Sequence, residues 1–258
     1  NKQKITTEEC RGTKYLLWSA IMYDGKQYLC SMTSRMTPLD VARMLRLRPE
    51  TAHKGTMGHA LLVAGSAGVG GCAVLGAESC LRSGVGKLTV CTPECNRLLL
   101  QLSVPEAVLR LLPHGGDDGA SWEAEEFARW QAVGIGPGIG LLAVGLLHDV
   151  AERSAGLPMV VDADALRILA VHPEWMPMLR GRAVLTPHGG EMQALASGIL
   201  HADAPLHTDS MLLAAAGRLA TEFRVCVVLK GHPTHLCHPD GRITLCPRGN
   251  AGMATAGA

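Results

Sequence analysis

Short apolar runs alternate along this chain with longer stretches of helical periodicity. Each run is closed by a residue that suits a turn or a site. The runs are ALLVAG (60–65), KLTVC (87–91), AVGIG (132–136), MVVDA (159–163), AVLTP (183–187) and CVVLKG (226–231). Each is too short for a helix and too uniformly apolar to have a solvated face, which predicts strands buried on both sides. Between them lie helical stretches such as AVLGAESCLRSG (73–84) and LLAVGLLHDVAERS (141–154). Strand–helix alternation of this kind builds a mostly parallel sheet with helices on both faces, a three-layer α/β/α architecture. HLCHPDGRITLC (235–246) breaks the alternation: two short strands around Pro239-Asp240-Gly241 predict a hairpin.

Composition narrows the remaining choices. A chain of 258 residues with 47% hydrophobic content fills the core of one large α/β domain. Its 18% charged residues and net charge of +1 exclude a disordered chain and a nucleic-acid binder working by bulk charge. Only 3% is aromatic, so Val, Leu, Ala and Met must build the core. The nine cysteines show no C-x-x-C spacing, and Cys72, Cys80 and Cys226 lie in apolar patterns. They read as buried free thiols of a reducing compartment. Cys237, His238 and Cys246 lack the ligand spacing of a zinc site. No apolar run is long enough to span a bilayer and no signal-peptide pattern precedes the first strand, which predicts a cytoplasmic protein.

The first residue is Asn1 rather than Met. Residues 1–54 carry more Lys and Arg than Asp and Glu, whereas residues 55–258 have the opposite balance. TPLDVARMLRLRPE (37–50) predicts a short helix, with Thr37 as N-cap, Pro38 in the first turn and Pro49 as stop. Residues 1–36 therefore read as a linker or the tail of a preceding domain, and 37–258 as the α/β domain.

In a doubly wound sheet ligands gather at the carboxyl ends of the strands. GSAGVGG (65–71) follows the first run and opens a helix, yet has neither the G-x-G-x-x-G frame nor a Walker lysine. It is a tight turn or a phosphate cradle. GIGPGIG (134–140) offers bare amides at another strand end. Asp162 and Asp164 in VVDADAL are helix caps or ligands of hydrated magnesium. His188 and Glu191 in LTPHGGE stand at the next end, where Glu191 also suits the helix dipole. Lys230, Gly231 and Thr234 in LKGHPTH close the series and suit a nucleotide's phosphates.

Taken in order, HKGTMGHALLVAGSAGVGGCAVLGAESCLRSGVGKLTV, VGIGPGIG, VVDADAL, LTPHGGE, VVLKGHPT and GNAGMATAG resemble the nucleotide-dependent NAD(P)H-hydrate dehydratases, the carboxy-terminal YjeF-type domain of the ribokinase-like superfamily. The resemblance runs from about His53 to the last residue. It implies a ribokinase-like fold and a repair reaction that returns hydrated NADH or NADPH to the reduced dinucleotide. ADP, or ATP in eukaryotic members, is consumed with magnesium, and the ADP reaction releases AMP and phosphate. By motif it implies hydrate contacts at Ala73, Gly138 and His188. Nucleotide contacts fall at Lys230, Gly231, His232, Pro233, Thr234 and Gly257. Glu191, acting through water, and Asp162 are the implied magnesium-organising groups.

The family pattern continues past the final glycine with Ser or Thr, then Gly-Asp, the aspartate being the implied catalytic base. Ala251 stands at the usual proline and Ala258 at the Ser/Thr place, so that aspartate is not among these residues and the fold is expected to be truncated at its C-terminal end. Partners implied are the hydrate and ADP, without nucleic acid or membrane. A homo-oligomer and a fused or separate epimerase also accord with the family. A hydroxyethylthiazole-kinase-like enzyme of the same fold and a catalytically dead nucleotide-binding fragment stand as alternatives.

Overall fold

The computed structural model describes residues 17–23, 26–44, 48–112, 122 and 125–250. Two strands, β1 (Leu17–Tyr23) and β2 (Lys26–Arg35), precede a short helix, α1 (Pro38–Met44). Thr37 caps α1 as its sequence predicts: its hydroxyl accepts the Asp40 amide at 3.2 Å and its own amide donates to Asp40 Oδ2 at 3.0 Å. The apolar runs then become β3 (His59–Val63), β4 (Lys87–Pro93), β6 (Ala132–Ile135), β7 (Met159–Val161), β8 (Ala183–Leu185) and β9 (Cys226–Leu229). The chain between β4 and β6 supplies β5 (Val108–Leu112), and the expected hairpin is β10 (Thr234–Cys237) with β11 (Ile243–Cys246). All join one sheet in the order β1-β2-β11-β10-β9-β8-β7-β6-β3-β4-β5.

From β9 across to β5 every neighbouring pair is parallel. The order reverses beside β3. The chain leaves β3 toward β4 and β5, then restarts at β6 on the other side of β3 and proceeds to β9. Parallel crossovers are right-handed, so reversing the direction of travel moves the helices to the opposite face. The packing obeys this rule. α2 (Gly71–Arg82) and α3 (Arg97–Ser103) cover a core of Ala64, Ala73, Ala77, Leu88, Val90 and Leu100. The larger core on the other face takes Leu61, Val63 and Cys91 from the same strands. It packs them with α4 (Val144–Arg153), α5 (Asp164–Val171), α6 (Met176–Leu179), α7 (Gly189–Ile199) and α8 (Asp209–Phe223).

The strand order also decides which face each helix covers. The crossovers from β6 to β9 all run one way and share a face. Among the described residues the other face of these strands stays open, and Val160 at the middle of β7 is 43% exposed. At the far edge β2 lies parallel to β11, with Thr33 opposite Ile243, so β1 and β2 join the same sheet as the other strands. No helix among the described residues is long and apolar enough to cross a membrane.

Three of the nine aromatic residues cluster beside β5. Trp130 meets Trp122 and Phe127 edge to face, and Trp122 and Phe127 meet at a tilt, with centroids 5.0 to 5.9 Å apart. The Arg110 guanidinium lies 3.8 Å over the Trp122 ring and is paired with Glu126 at 2.9 Å. Elsewhere the core is chiefly leucine, alanine and valine, with isoleucine beside the expected methionine.

Candidate active site

The reversal beside β3 sends the loops after β3 and β6 in opposite directions and leaves a crevice between them, the usual ligand position in such sheets. Both glycine-rich loops lie there and are tied together. The Gly65 amide donates to Pro137 O at 2.8 Å, the Gly136 amide to Val63 O at 3.1 Å, and the Cys72 thiol to Pro137 O at 3.2 Å. Gly138 has a φ of +64°, and a Cβ there would strike Cys72 Sγ and approach Val69 Cγ1 to 2.9 Å. Glycine at 138 is thus required by backbone conformation and by the close approach of the first loop. Ala73 lies fully buried in the first turn of α2 with its amide on Gly70 O at 3.1 Å, so its methyl packs under the loop rather than facing the crevice.

Two residues outside the sequence-derived set fasten the first loop. Asn96 is buried, and its Nδ2 donates to Thr92 Oγ1 at 2.9 Å and to Ser66 O at 3.4 Å. Thr92 is fully buried at the end of β4. A Cβ on Gly65 would come within 3.0 Å of Asn96 Nδ2, and one on Gly70 within 2.7 Å of its Oδ1. The only sequence trace of this was polar residues in TPECN directly after a strand.

At the end of β7 the two aspartates separate in role. Asp164 Oδ2 accepts the Gly140 amide at 3.0 Å and so holds the second glycine loop. Asp162 turns toward β9. Ala163 between them has φ 52° and ψ −123°, a conformation an L-residue rarely adopts. Strained backbone of this kind concentrates at sites where side chains must be aimed apart.

At the end of β8, His188 caps α7. Its Nδ1 accepts the Gly190 and Glu191 amides at 3.0 and 3.2 Å, and Glu191 Oε2 accepts the His188 amide at 2.8 Å. This is a capping box with histidine in place of the usual serine or threonine. Because Nδ1 accepts, the ring proton sits on Nε2, which lies 3.3 Å from Glu191 Oε1. The His188 side chain is 49% exposed, that of Glu191 only 6%.

Lys230 at the end of β9 joins these elements. Its ammonium donates to Asp162 Oδ1 at 2.8 Å and lies 3.7 Å from Glu191 Oε2. The three strand ends that the sequence marked separately therefore meet in one cluster of two carboxylates and a lysine. Beyond it a cavity of about 190 Å³ is lined by Lys230, Gly231, His232 and Pro233 together with Gly189, Asp209, Leu212, Leu229 and His235. Thr234 does not line it; its hydroxyl donates to Gly231 O at 3.1 Å and closes the turn. Burial holds the His235 imidazole below its ordinary pKa. Asp209 and His235 were not legible as site residues in the sequence, since helix α8 and the hairpin bring them together only in the fold. Gly257 lies outside the described residues.

The donor chemistry fits a hydrated magnesium ion. Such an ion keeps several waters and takes one or two carboxylates plus phosphate oxygens. Asp162 has a second carboxylate oxygen with no protein partner among the described residues, whereas both Glu191 oxygens are engaged by His188. Asp162 would hold the ion directly and Glu191 through water.

Crossover topology, a crevice at the strand reversal and a cavity beside lysine and carboxylates together mark a ribokinase-like α/β fold. The solved structures agree. A ribokinase-like protein from Enterococcus faecalis superposes with a TM-score of 0.73 at 24% identity, over 93% of this chain and 78% of that one, a likeness of fold alone. An ADP/ATP-dependent NAD(P)H-hydrate dehydratase from Bacillus subtilis, co-crystallised with ATP and Mg2+, superposes with a TM-score of 0.65 at 30% identity, over 86% and 75%.

The Carb_kinase family model, described as NAD(P)H-hydrate dehydratase, matches residues 60–258, and the chain belongs to this family. It is 35% identical over 226 residues to the ADP-dependent (S)-NAD(P)H-hydrate dehydratase of Neisseria meningitidis, covering 86% of this chain and 72% of the relative. It is 34% identical over 218 residues to the bifunctional NAD(P)H-hydrate repair enzyme Nnr of Moorella thermoacetica. There the match covers 82% of this chain but only 40% of the relative, so the chain spans about two fifths of that bifunctional protein.

Proposed function

We propose that this chain serves the ADP-dependent dehydration of NAD(P)H hydrate, with ATP as the alternative nucleotide. In this reading the terminal phosphoryl group of the nucleotide passes to the hydrate's hydroxyl, and AMP leaves when ADP is the donor. The C–O bond then breaks with the push of the ring nitrogen, a proton is lost from the neighbouring carbon, and phosphate departs as the reduced nicotinamide re-forms. Phosphorylation is needed because hydroxide is a poor leaving group, and phosphoryl transfer depends on positioning and charge neutralisation more than on covalent help from the protein.

The observation that carries the reading is the Lys230–Asp162–Glu191 cluster, set between the glycine crevice and the cavity. The crevice at the two glycine loops, with Gly138 in the second and Ala73 packed beneath the first, suits the dinucleotide, and the half-exposed His188 at the end of β8 is assigned to the same ligand. The cavity at Lys230 to Pro233 suits the nucleotide, with Thr234 holding the turn and Gly257 completing the contact. Magnesium held by Asp162, and by Glu191 through water, would neutralise charge on the transferring phosphates. None of the described residues is assigned as the base. We further take residues 37–258 as the dehydratase domain and 1–36 as a linker or the tail of a preceding domain, in line with bifunctional relatives, and place the protein in the cytoplasm.

Incubating the protein with ADP, magnesium and NADH hydrate tests this. Phosphate and AMP should appear in step with the regained dinucleotide. A stable phosphorylated product would instead make it a small-molecule kinase of the same fold.

A further inference from the structure

A second cavity of about 500 Å³ opens at the other end of β8 and β9, away from the carboxyl-end cluster. Its walls come from three separate segments: Arg180 at the end of α6, Thr221 and Arg224 at the end of α8, and the hairpin turn His238, Pro239, Asp240 and Arg242. The segments are fixed to one another. Gly181 donates its amide to Arg224 O at 2.9 Å, and Arg180 Nη1 donates to Glu222 O at 3.2 Å. The hairpin is held by His238 N to Arg242 O at 2.9 Å and by His238 Nε2 against Thr244 Oγ1 at 3.0 Å.

Three arginines and a histidine thus line one solvent-open cavity against a single acidic residue, on a chain whose net charge is only +1. Asp240 is already occupied by Arg242, at 2.7 Å. The Arg224 guanidinium has no protein partner among the described residues. Arginine at a helix C-terminus ordinarily just favours the helix dipole. That reading accounts for Arg180 and Arg224 singly, but not for their convergence with Arg242 from the hairpin on one cavity. It also leaves the backbone of Arg224 unexplained. Arg224 ends α8 in the left-handed region at φ 53°, ψ 44°, a position where glycine is the usual choice. The chain uses glycine at the neighbouring left-handed position, Gly181, with φ +74°. The left-handed turn sends the Arg224 side chain off the end of α8, at the cavity that it lines.

We propose that this cavity is a second ligand site, independent of the reading of the carboxyl-end cluster, and that it binds a pyrophosphate-bearing anion. Arginine forks match phosphate oxygens in pairs, and several from separate segments fit linked phosphates better than one carboxylate. Pro239 is the sole apolar residue in the lining, so phosphate supplies the recognition. The volume lies within the range of small-molecule pockets and leaves room for more than an isolated ion.

The test is site-resolved histidine NMR of the full chain during titration with inorganic pyrophosphate. His238 reports on this cavity, while His232 and His235 report on the cavity beside Lys230. The His238 signals should move to saturation, and Arg224→Gln should weaken that response at least about tenfold. Arg224→Gly suits the left-handed turn and removes the whole side chain, so it should fold at least as well and lose the same response. Lys230→Met should leave the response at His238 intact. Parallel titrations with ADP and NADH identify which pyrophosphate carrier saturates His238 at the lower concentration. An unmoved His238, or a response that survives in a folded Arg224→Gly protein, would overturn the proposal.

Discussion

Lys230→Met keeps the length and the apolar stem of the side chain and removes its charge, so it isolates what the ammonium does. Lys230 and Asp162 are 39% and 31% exposed, and a pair this open is worth roughly 0–1 kcal/mol after solvent screening. Glu191 is nearly buried and loses its nearest cation, but it keeps its hydrogen bonds to His188. The penalty for stranding a buried charge, up to ~5 kcal/mol, is therefore an upper bound, and about 1 kcal/mol is the fitting share. Together the substitution should cost about 1–2 kcal/mol, or a Tm fall of about 3–6 °C for a domain of this size. A lysine simply waving in solvent would cost nothing. Thermal melts of wild type, Lys230→Met, Asp162→Asn and the double variant form a cycle, and the coupling should be about 1 kcal/mol, with the double variant more stable than additivity predicts. Calorimetric titration should show ADP binding about 10–100-fold weaker, the loss of one charge-assisted contact. A coupling near zero, or ADP affinity within about twofold of wild type, would refute the placement of Lys230 between carboxylates and phosphate.

Gly138→Ala meets both a positive φ and the thiol of Cys72, so it should lower stability by about 1–3 kcal/mol; melting curves check this, and an unchanged Tm would show that the loop has room to yield. Asn96→Ala removes the tie between Thr92 and the Ser66 carbonyl and should cost about 1–2 kcal/mol. It should also weaken hydrate binding more than ADP binding, because only the first glycine loop is released; calorimetry with each ligand separates the two. Burial pushes the thiols of Cys91 and Cys237 up to about 12 from an ordinary value of 9.0. Above pH 9 the unfolded chain then loses protons that the folded chain keeps, so stability should fall between pH 9 and 12, and Cys91→Ala should flatten that slope in denaturant titrations. Alkylation near pH 8 should reach exposed Cys95 and spare both buried thiols.

The strands were readable because their apolar runs have no polar alternation, and the hairpin because Pro-Asp-Gly interrupts the pattern. Less legible was β5, whose VLRLL carries Arg110 in its middle. That charge is tolerated because Trp122 and Glu126 cover it, partners supplied by residues well along the chain. In the candidate site the motif glycines, His188, Glu191 and Lys230 were all visible as types at strand ends. Their partnerships were not. Asp162 and Lys230 are 68 residues apart, and only the adjacency of β7, β8 and β9 brings their side chains together. Asn96 and Thr92 escaped notice because polar residues after a strand usually mark an ordinary turn. Ala163 escaped because backbone strain at an alanine leaves no compositional trace. The one-sided cover of β6 to β9 is a result of strand order, which apolar periodicity does not encode.

The central claim is that two different ligands share the carboxyl edge of this sheet, a nucleotide beside Lys230 and a hydrated dinucleotide in the glycine crevice. Calorimetric titration of NADH hydrate into the protein, alone and after saturation with magnesium and an ADP analogue that cannot transfer its phosphoryl group, tests that claim most directly. Hydrate should bind in both cases, and the bound nucleotide should not displace it. Competition between the two for one place, or no binding of either, would contradict it.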